Sequence, residues 1–338
     1  MLPHGILFRY FHTHTTCGTG DPPAFGPTHP GSMSAGELCA LLRWLGPQRI
    51  LPAHEWLRRA EAGTLDIDDL CLTFDNGLRC QFDIARPVLR QFGLTAFWFI
   101  STSVLEGGVQ RRELYRAFHA RFFADNGRFL RAFFRVLANG LEAERVQAAL
   151  AALGPRQRGS GCPPVAAAGS RASDDDRRSQ PIRDGRPAGG GYHRLMDALL
   201  AGWDRLSAGH CVGPQDPAPN LWIDADCLRR LHAEGHVIGL HSHTHPPELA
   251  ELPLGEQWRE YRQNHAILTE ILGEPPATVA HPCNSYNEDT LALLRTLGVR
   301  LGFRADASQT EFSELEFPRE DGLNVLRAMQ SHADAAAS

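Results

Sequence analysis

Three short segments carry residue types that could do chemistry together: Thr73-Phe74-Asp75-Asn76-Gly77, His241-Ser242-His243-Thr244-His245-Pro246 and Ala280-His281-Pro282-Cys283-Asn284-Ser285-Tyr286-Asn287. Asp75 closes an apolar run that reads as a buried strand. Parallel α/β folds and barrels place reacting side chains at such strand ends, where a carboxylate can act as a general base. Asp-Asn-Gly is equally a good turn sequence. Imidazole is the commonest protein ligand of zinc-like metals, and three histidines in five residues follow the apolar Val237-Ile238-Gly239-Leu240. In an extended backbone His241, His243 and His245 would all face one way, whereas a turn at Ser242 or Thr244 would select two of them. In the third segment Pro282 stiffens a loop whose next backbone N–H, that of Cys283, could point at a developing oxyanion. The Cys283 thiol has no activating partner in sequence, so it reads as a wall-lining thiol and not a nucleophile.

A fourth segment competes. Phe11-His12-Thr13-His14 ends a first apolar run, and His-x-His at such a place resembles the metal-binding start of histidinol-phosphatase-like phosphoesterase barrels. No aspartate precedes it here, so His12 reads as a pocket-lining residue; the phosphoesterase alternative would make His12 and His14 the metal ligands.

The elements that must position these groups alternate. Gly5 to Phe11, Arg49 to Pro52, Cys71 to Phe74, Ala96 to Ser101, His236 to Leu240, Thr278 to Ala280 and Leu301 to Arg304 read as strands. Ser34 and Glu37 form a capping box ahead of Leu38, Leu41, Leu42 and Leu45. Further helices are expected over Cys80 to Gln91, Tyr192 to about Leu206, Asp224 to Glu234, Leu254 to Leu272 and Glu288 to Leu297. This alternation predicts an α/β fold, a distorted (β/α) barrel whose sheet is parallel. Residues 1–104 form its first part and 192–325 its second. Between them come a helical insertion at 105–153 and a flexible, low-complexity linker at 154–191, where Gly, Pro, Ser, Asp and Arg leave too little apolar surface to offset ordering; a shift of reading frame is the other account of that stretch. Residues 326–338 read as a disordered tail.

The chain has 338 residues, 43% hydrophobic and 22% charged, enough for one large core or two modest ones. Its formal charge of -5 and pI near 6.3 provide no basic footprint for nucleic acid or anionic membrane. No apolar run approaches the roughly 18 residues of a membrane span. Met1 to Phe8 lacks the basic and long apolar regions of a secretory signal, so a cytoplasmic location is expected. The eight cysteines contain no Cys-x-x-Cys pair, which excludes a zinc knuckle or a thioredoxin-like motif.

In order and type the three segments resemble those of the polysaccharide deacetylases of the NodB-homology type, carbohydrate esterase family 4. The resemblance implies a distorted barrel and hydrolysis of an N-acetyl group on an amino sugar or glycoconjugate. A divalent metal such as zinc would be held by His241, His245 and, at the position of the family's second aspartate, Asn76. It further implies Asp75 as base, the Cys283 N–H as oxyanion donor, and Pro282 and Tyr286 with His12 along the substrate. Three departures stand out. Asn76 is neutral, the third motif lacks the arginine that steadies the base, which Arg304 or Arg319 could replace, and the late Leu-x-His motif is not recognisable, leaving His332 as its candidate. A catalytically silent carbohydrate-binding relative is the alternative these departures motivate.

Overall fold

The computed structural model describes residues 5–12, 31–122, 221–307 and 313–337. The chain divides into two compact units: Met1–Gly18, Pro30–Gln110 and Trp222–Ser338 form one, and Thr19–His29 with Arg111–Leu221 form the other. The strands are β1 (Gly5–Phe8), β2 (Tyr10–His12), β3 (Ser32–Ser34), β4 (Cys71–Asp75), β5 (Phe97–Ile100), β6 (Val237–Leu240), β7 (Thr278–Ala280), β8 (Leu301–Phe303) and β9 (Arg319–Asp321). The helices are α1 (Ala35–Leu45), α2 (Ala53–Ala62), α3 (Arg86–Phe92), α4 (Arg111–Phe122), α5 (Ala225–Ala233), α6 (Leu254–Leu272), α7 (Glu288–Thr296) and α8 (Gly322–Ala337). Of the helical insertion expected at 105–153, α4 is the described helix; the rest of it, the stretch 154–191 and the helix expected from Tyr192 lie outside the described residues.

In the first unit one parallel sheet runs in the order β8-β7-β6-β5-β4-β1-β9. Its two edges are brought together by a parallel bridge between Phe303 and Phe317. There the Phe317 N–H donates to Gly302 O at 2.8 Å and the Arg304 N–H to Phe317 O at 3.0 Å. The result is a nearly closed seven-stranded barrel, as the alternation of elements predicted. β1, β5, β6 and β8 read as unbroken apolar runs because a parallel sheet is covered on both faces, whereas the edge strand β9 is Arg-Glu-Asp.

The two-residue period of a strand separates those faces. Cys71, Phe97, Phe99, Val237, Ala280, Leu301 and Phe303 form one cluster inside the barrel with Trp56 of α2, whose ring lies 5.3 Å from that of Phe303 and 5.1 Å from that of Phe317. The alternate residues pack outward, with Phe74 stacked on Trp98 at 4.4 Å and on Phe8 at 5.6 Å. Extending the inward parity one step past the core, Cys71 and Thr73 lead to Asp75, and Val237 and Gly239 lead to His241. Gly239 is required there: a Cβ would come within 2.4 Å of Thr278 Oγ1 and 2.6 Å of a Phe99 ring carbon.

The capping box at α1 forms as expected, the Glu37 N–H donating to Ser34 Oγ at 3.2 Å and the Ser34 N–H to Glu37 Oε2 at 2.7 Å. Two expectations need correction. Arg49 to Pro52 is no strand: a 3-10 turn over Pro47–Arg49 leads to a single bridge between Ile50 and Leu70, because Pro47 and Pro52 limit the backbone donors available for a ladder. Residues 326–337, expected as a disordered tail, belong to α8, where Ala-rich composition favours helix and Leu326 is buried against the barrel unit.

Candidate active site at the carboxyl ends of the strands

Asp75 is the last residue of β4 and is 4% exposed. Arg319, fully buried on β9, donates from Nη1 to Asp75 Oδ1 at 2.8 Å and from Nη2 to Oδ2 at 2.9 Å. The two planar groups therefore meet as a fork on a fork, the geometry that makes arginine the strongest carboxylate partner. Arg319 reaches it through the barrel interior: its Nε donates to Arg304 O at 2.6 Å, its Nη1 also donates to Thr73 Oγ1 at 3.2 Å, and its guanidinium lies 5.7 Å from the Phe99 ring. Gly5 faces it in register, where a Cβ would stand 2.8 Å from Arg319 Cγ. Burial works to raise the Asp75 pKa, but the charge of Arg319 and its hydrogen bonds outweigh it and hold the carboxyl at about 2. Of the two arginines considered for steadying the base, Arg319 does so; Arg304 donates from Nε to Glu316 O at 3.1 Å.

His241 follows β6 and is 2% exposed. Its Nδ1 lies 2.8 Å from Ala280 O, a group that can only accept, so Nδ1 carries the proton and Nε2 of the neutral ring keeps its lone pair. Burial pushes its pKa down, against the opposing charge of Asp75. The His241 N–H donates to Asn264 Oδ1 at 3.0 Å, and Ser101 Oγ donates to His241 O at 2.8 Å. Ser242 has φ 59° and His245 φ 58°, left-handed positions that break the strand alternation. The turn brings the His245 ring to 4.7 Å from that of His241, edge to face. It sends His243 elsewhere, with Nδ1 3.0 Å from Thr102 Oγ1 and Nε2 3.7 Å from the Glu106 carboxylate. Backbone conformation thus places the rings of His241 and His245 together and that of His243 apart.

Asn76, buried, occupies the next left-handed position, at φ 74°. Among the described residues no three His, Cys, Asp or Glu side chains converge as a complete metal-ligand set. The donor chemistry nevertheless fits a zinc-like ion: a neutral imidazole with its tautomer set by a carbonyl is the usual form of a metal-binding histidine, and a second imidazole packs against it. Asn76 is the neutral oxygen donor available beside the base.

Cys283 lies in the 3-10 turn Pro282–Asn284 that follows β7, and Cys283 and Asn284 are both left-handed at φ 54° and 56°. The turn is anchored on several sides. Asn284 Oδ1 accepts from the Ala305 N–H and its Nδ2 donates to Asp306, the Ala250 N–H donates to Ser285 Oγ at 2.9 Å, and Tyr286 Oη donates to Glu316 Oε1 at 2.8 Å. The buried His281 ring stacks on Tyr286 at 4.0 Å and its Nε2 donates to Leu315 O at 2.8 Å; burial pushes its pKa down to about 4. His12 is buried at the end of β2 with Nδ1 2.9 Å from Ser32 Oγ. His14 lies outside the described residues. His332 is exposed on α8, its ring 6.1 Å from that of the outer Trp44 on α1.

Two supporting residues were not read from the sequence. Asn264 of α6, fully buried, holds the His241 N–H and donates from Nδ2 to Ile100 O at 2.9 Å and Thr102 Oγ1 at 3.1 Å. Gln81 binds the turn after Asp75. A signal existed for the first: Gln257, Tyr261, Asn264 and Leu268 form the buried face of α6, and a polar amide on a core-facing stripe requires partners.

Residues 209–302, which include the histidine segment and the His281–Tyr286 loop, match the family model of the polysaccharide deacetylases. A 74-residue stretch is 38% identical to gellan lyase of a Bacillus species, covering 22% of this chain and 3% of that protein's length. Among solved structures, the Streptococcus pyogenes deacetylase PplD, determined with acetate, is 12% identical, with 97% of each chain covered and a TM-score of 0.50. A de-N-acetylase from Aggregatibacter actinomycetemcomitans is 11% identical, with 96% of this chain and 98% of that one covered and a TM-score of 0.49. At such identity the likeness to PplD is one of fold. The family match covers two of the three motifs, and the barrel presents them together with the third at its strand ends; it is over residues 209–302 that the chain is similar to the polysaccharide deacetylases.

Proposed function

We propose that the chain is a metal-dependent deacetylase that hydrolyses the N-acetyl group of an amino sugar or glycoconjugate, with an intracellular biosynthetic intermediate as the substrate class to test first. The observation that carries this reading is the placement of the Arg319-bound Asp75 carboxylate in the same field as the paired His241 and His245 rings, at the carboxyl ends of β4 and β6. His241 and His245, with Asn76, would hold the metal. Bound there, a divalent ion such as zinc supplies Lewis acidity toward the acetyl carbonyl and the attacking water.

The remaining steps belong to the chain. Asp75, kept ionised by Arg319, accepts the proton of the attacking water. A carboxyl held at about 2 is a weak base, so the transfer depends on an acidified water and on fixed geometry more than on the basicity of Asp75. Arg319 occupies both carboxylate oxygens and so limits rotation about the Asp75 side chain. The backbone N–H of Cys283, in its anchored left-handed turn, is the donor assigned to the oxyanion. A second reading, a silent carbohydrate-binding relative, is favoured by the neutral Asn76 and by the incomplete set of charged ligands among the described residues.

The test is bound-metal analysis of the wild type and of His241→Ala/His245→Ala, with acetate release assayed on N-acetylated sugars and sugar nucleotides. Stoichiometric metal lost in the double variant, with acetate from wild type alone, is the expected result. Metal retained by the double variant would overturn the site. Sugar binding without acetate release at saturating metal would establish the silent relative.

A further inference from the structure

The parallel register of β1 and β4 ends at Phe8 opposite Phe74. One step further the carbonyls of Arg9 and Asp75 have left that ladder, yet the Asp75 end of β4 is buried, and buried carbonyls need donors. The fully buried side chain of Gln81 supplies both: Nε2 donates to Asp75 O at 2.7 Å and to Arg9 O at 2.9 Å. Its Oε1 accepts the Leu78 N–H at 3.1 Å, and its own backbone N–H donates to Leu78 O at 3.0 Å. One amide therefore extends the β1–β4 pairing by a rung and closes the turn Asp75–Leu78 in which Asn76 is left-handed. Gln81 also opens a π-helical turn, Gln81–Ala85, ahead of α3, and such turns are frequent at functional sites.

We propose that Gln81 is a positioning residue for the reaction assigned above. By clamping the main chain at the Asp75 carbonyl and the Leu78 N–H, on either side of Asn76, it sets the direction in which the carboxylate and the amide leave the strand. The proposal rests on the deacetylase reading. It distinguishes Gln81 from a residue that merely satisfies buried carbonyls, whose loss would lower stability alone.

The test compares wild type with Gln81→Glu, which keeps the size of the side chain but presents an acceptor to the two carbonyls, and Gln81→Met, which keeps its length. Three readouts are taken: kcat and KM for acetate release, zinc affinity by chelator competition without substrate, and thermal melting. Positioning predicts that kcat falls about 10- to 100-fold with KM within about twofold, and that zinc affinity falls about tenfold or more, in a variant that still melts cooperatively. A shift in melting temperature with kcat and zinc affinity unchanged would overturn it, as would failure of both variants to fold. An active wild type with equally active variants refutes the role of Gln81 and leaves the deacetylase standing. Wild type that binds zinc but releases no acetate refutes the deacetylase, and the zinc comparison still decides Gln81. Wild type with neither property removes both.

Discussion

Asp75 and His241 occupy equivalent inward positions at the ends of β4 and β6, yet they are held in opposite ways. Asp75 is secured through its side chain by a buried cation far away in sequence, Arg319. His241 is secured by neutral groups: the Ala280 carbonyl at its ring, and the Asn264 amide and Ser101 hydroxyl at its main chain. The difference follows from the charge each must carry. A buried carboxylate stays ionised beside a matching cation, whereas burial and neutral dipoles keep the imidazole neutral against the Asp75 charge, which favours its protonation. Each arrangement sets a protonation state suited to the chemistry assigned, a proton acceptor in one place and a lone-pair donor in the other.

The comparison can be broken most severely at the carboxylate. Asp75→Asn is expected to lower kcat about 10²- to 10⁴-fold, the scale of a lost general base, with zinc affinity by chelator competition changing far less. Next in size, Arg319→Leu leaves the buried carboxylate without its partner and should cost about 3–5 kcal/mol in denaturant unfolding. In that variant the burial that now opposes ionisation is unchecked, so the Asp75 pKa should rise, seen as an acidic limb entering the pH profile of kcat/KM.

The pH dependence of stability sharpens the contrast. His236, whose Nδ1 accepts the Ala96 N–H at 3.0 Å, and His281 are both held neutral by burial at about 4. A depressed folded pKa means that the unfolded chain binds protons first. Their stabilisation is therefore complete above about pH 6.5 and lost as pH falls toward about 4, roughly 3 kcal/mol for each imidazole. Asp75 contributes in a lower window by the same sign, complete above about pH 4 and lost as pH falls toward about 2. Equilibrium unfolding across pH should show both windows in wild type and the loss of the lower one in Arg319→Leu.

On the neutral side the effects are smaller. Asn264→Leu should destabilise by about 1–3 kcal/mol, the cost of stranding the His241 N–H and the Ile100 carbonyl, and should weaken zinc binding by loosening the histidine turn. Cys283→Ser should be the mildest, with kcat within about twofold and stability within about 0.5 kcal/mol, because the N–H and not the thiol is assigned a role. A large loss in Cys283→Ser would mean that the thiol takes part.

Much of this arrangement was legible in the residues. The bounds of α6 and β7, the capping box of α1 and the strand preceding each motif depend on local propensity, capping and apolar periodicity, which act over a few residues. The choice of Arg319 over Arg304 was not legible, since it depends on where β9 meets β1 and on the space left by Gly5. The resemblance named His241 and His245, but the separation of His243 from their rings was not legible from the residues alone: it follows from the left-handed turn at Ser242, a conformation serine seldom adopts. The helix α8 was missed because its Ala-rich sequence offers few apolar positions, and its buried face is set by the barrel it packs against.

Amino-acid order alone specified the alternation of strand and helix, the three polar motifs at strand ends and hence the family they resemble, because these features are written in contiguous residues. Tertiary structure decided which distant groups meet: the fork of Arg319 on Asp75 and the Gln81 rung at the end of β1 and β4. Those contacts join positions as far apart as 75 and 319, where burial, register and the satisfaction of buried polar groups act and local sequence pattern has no reach.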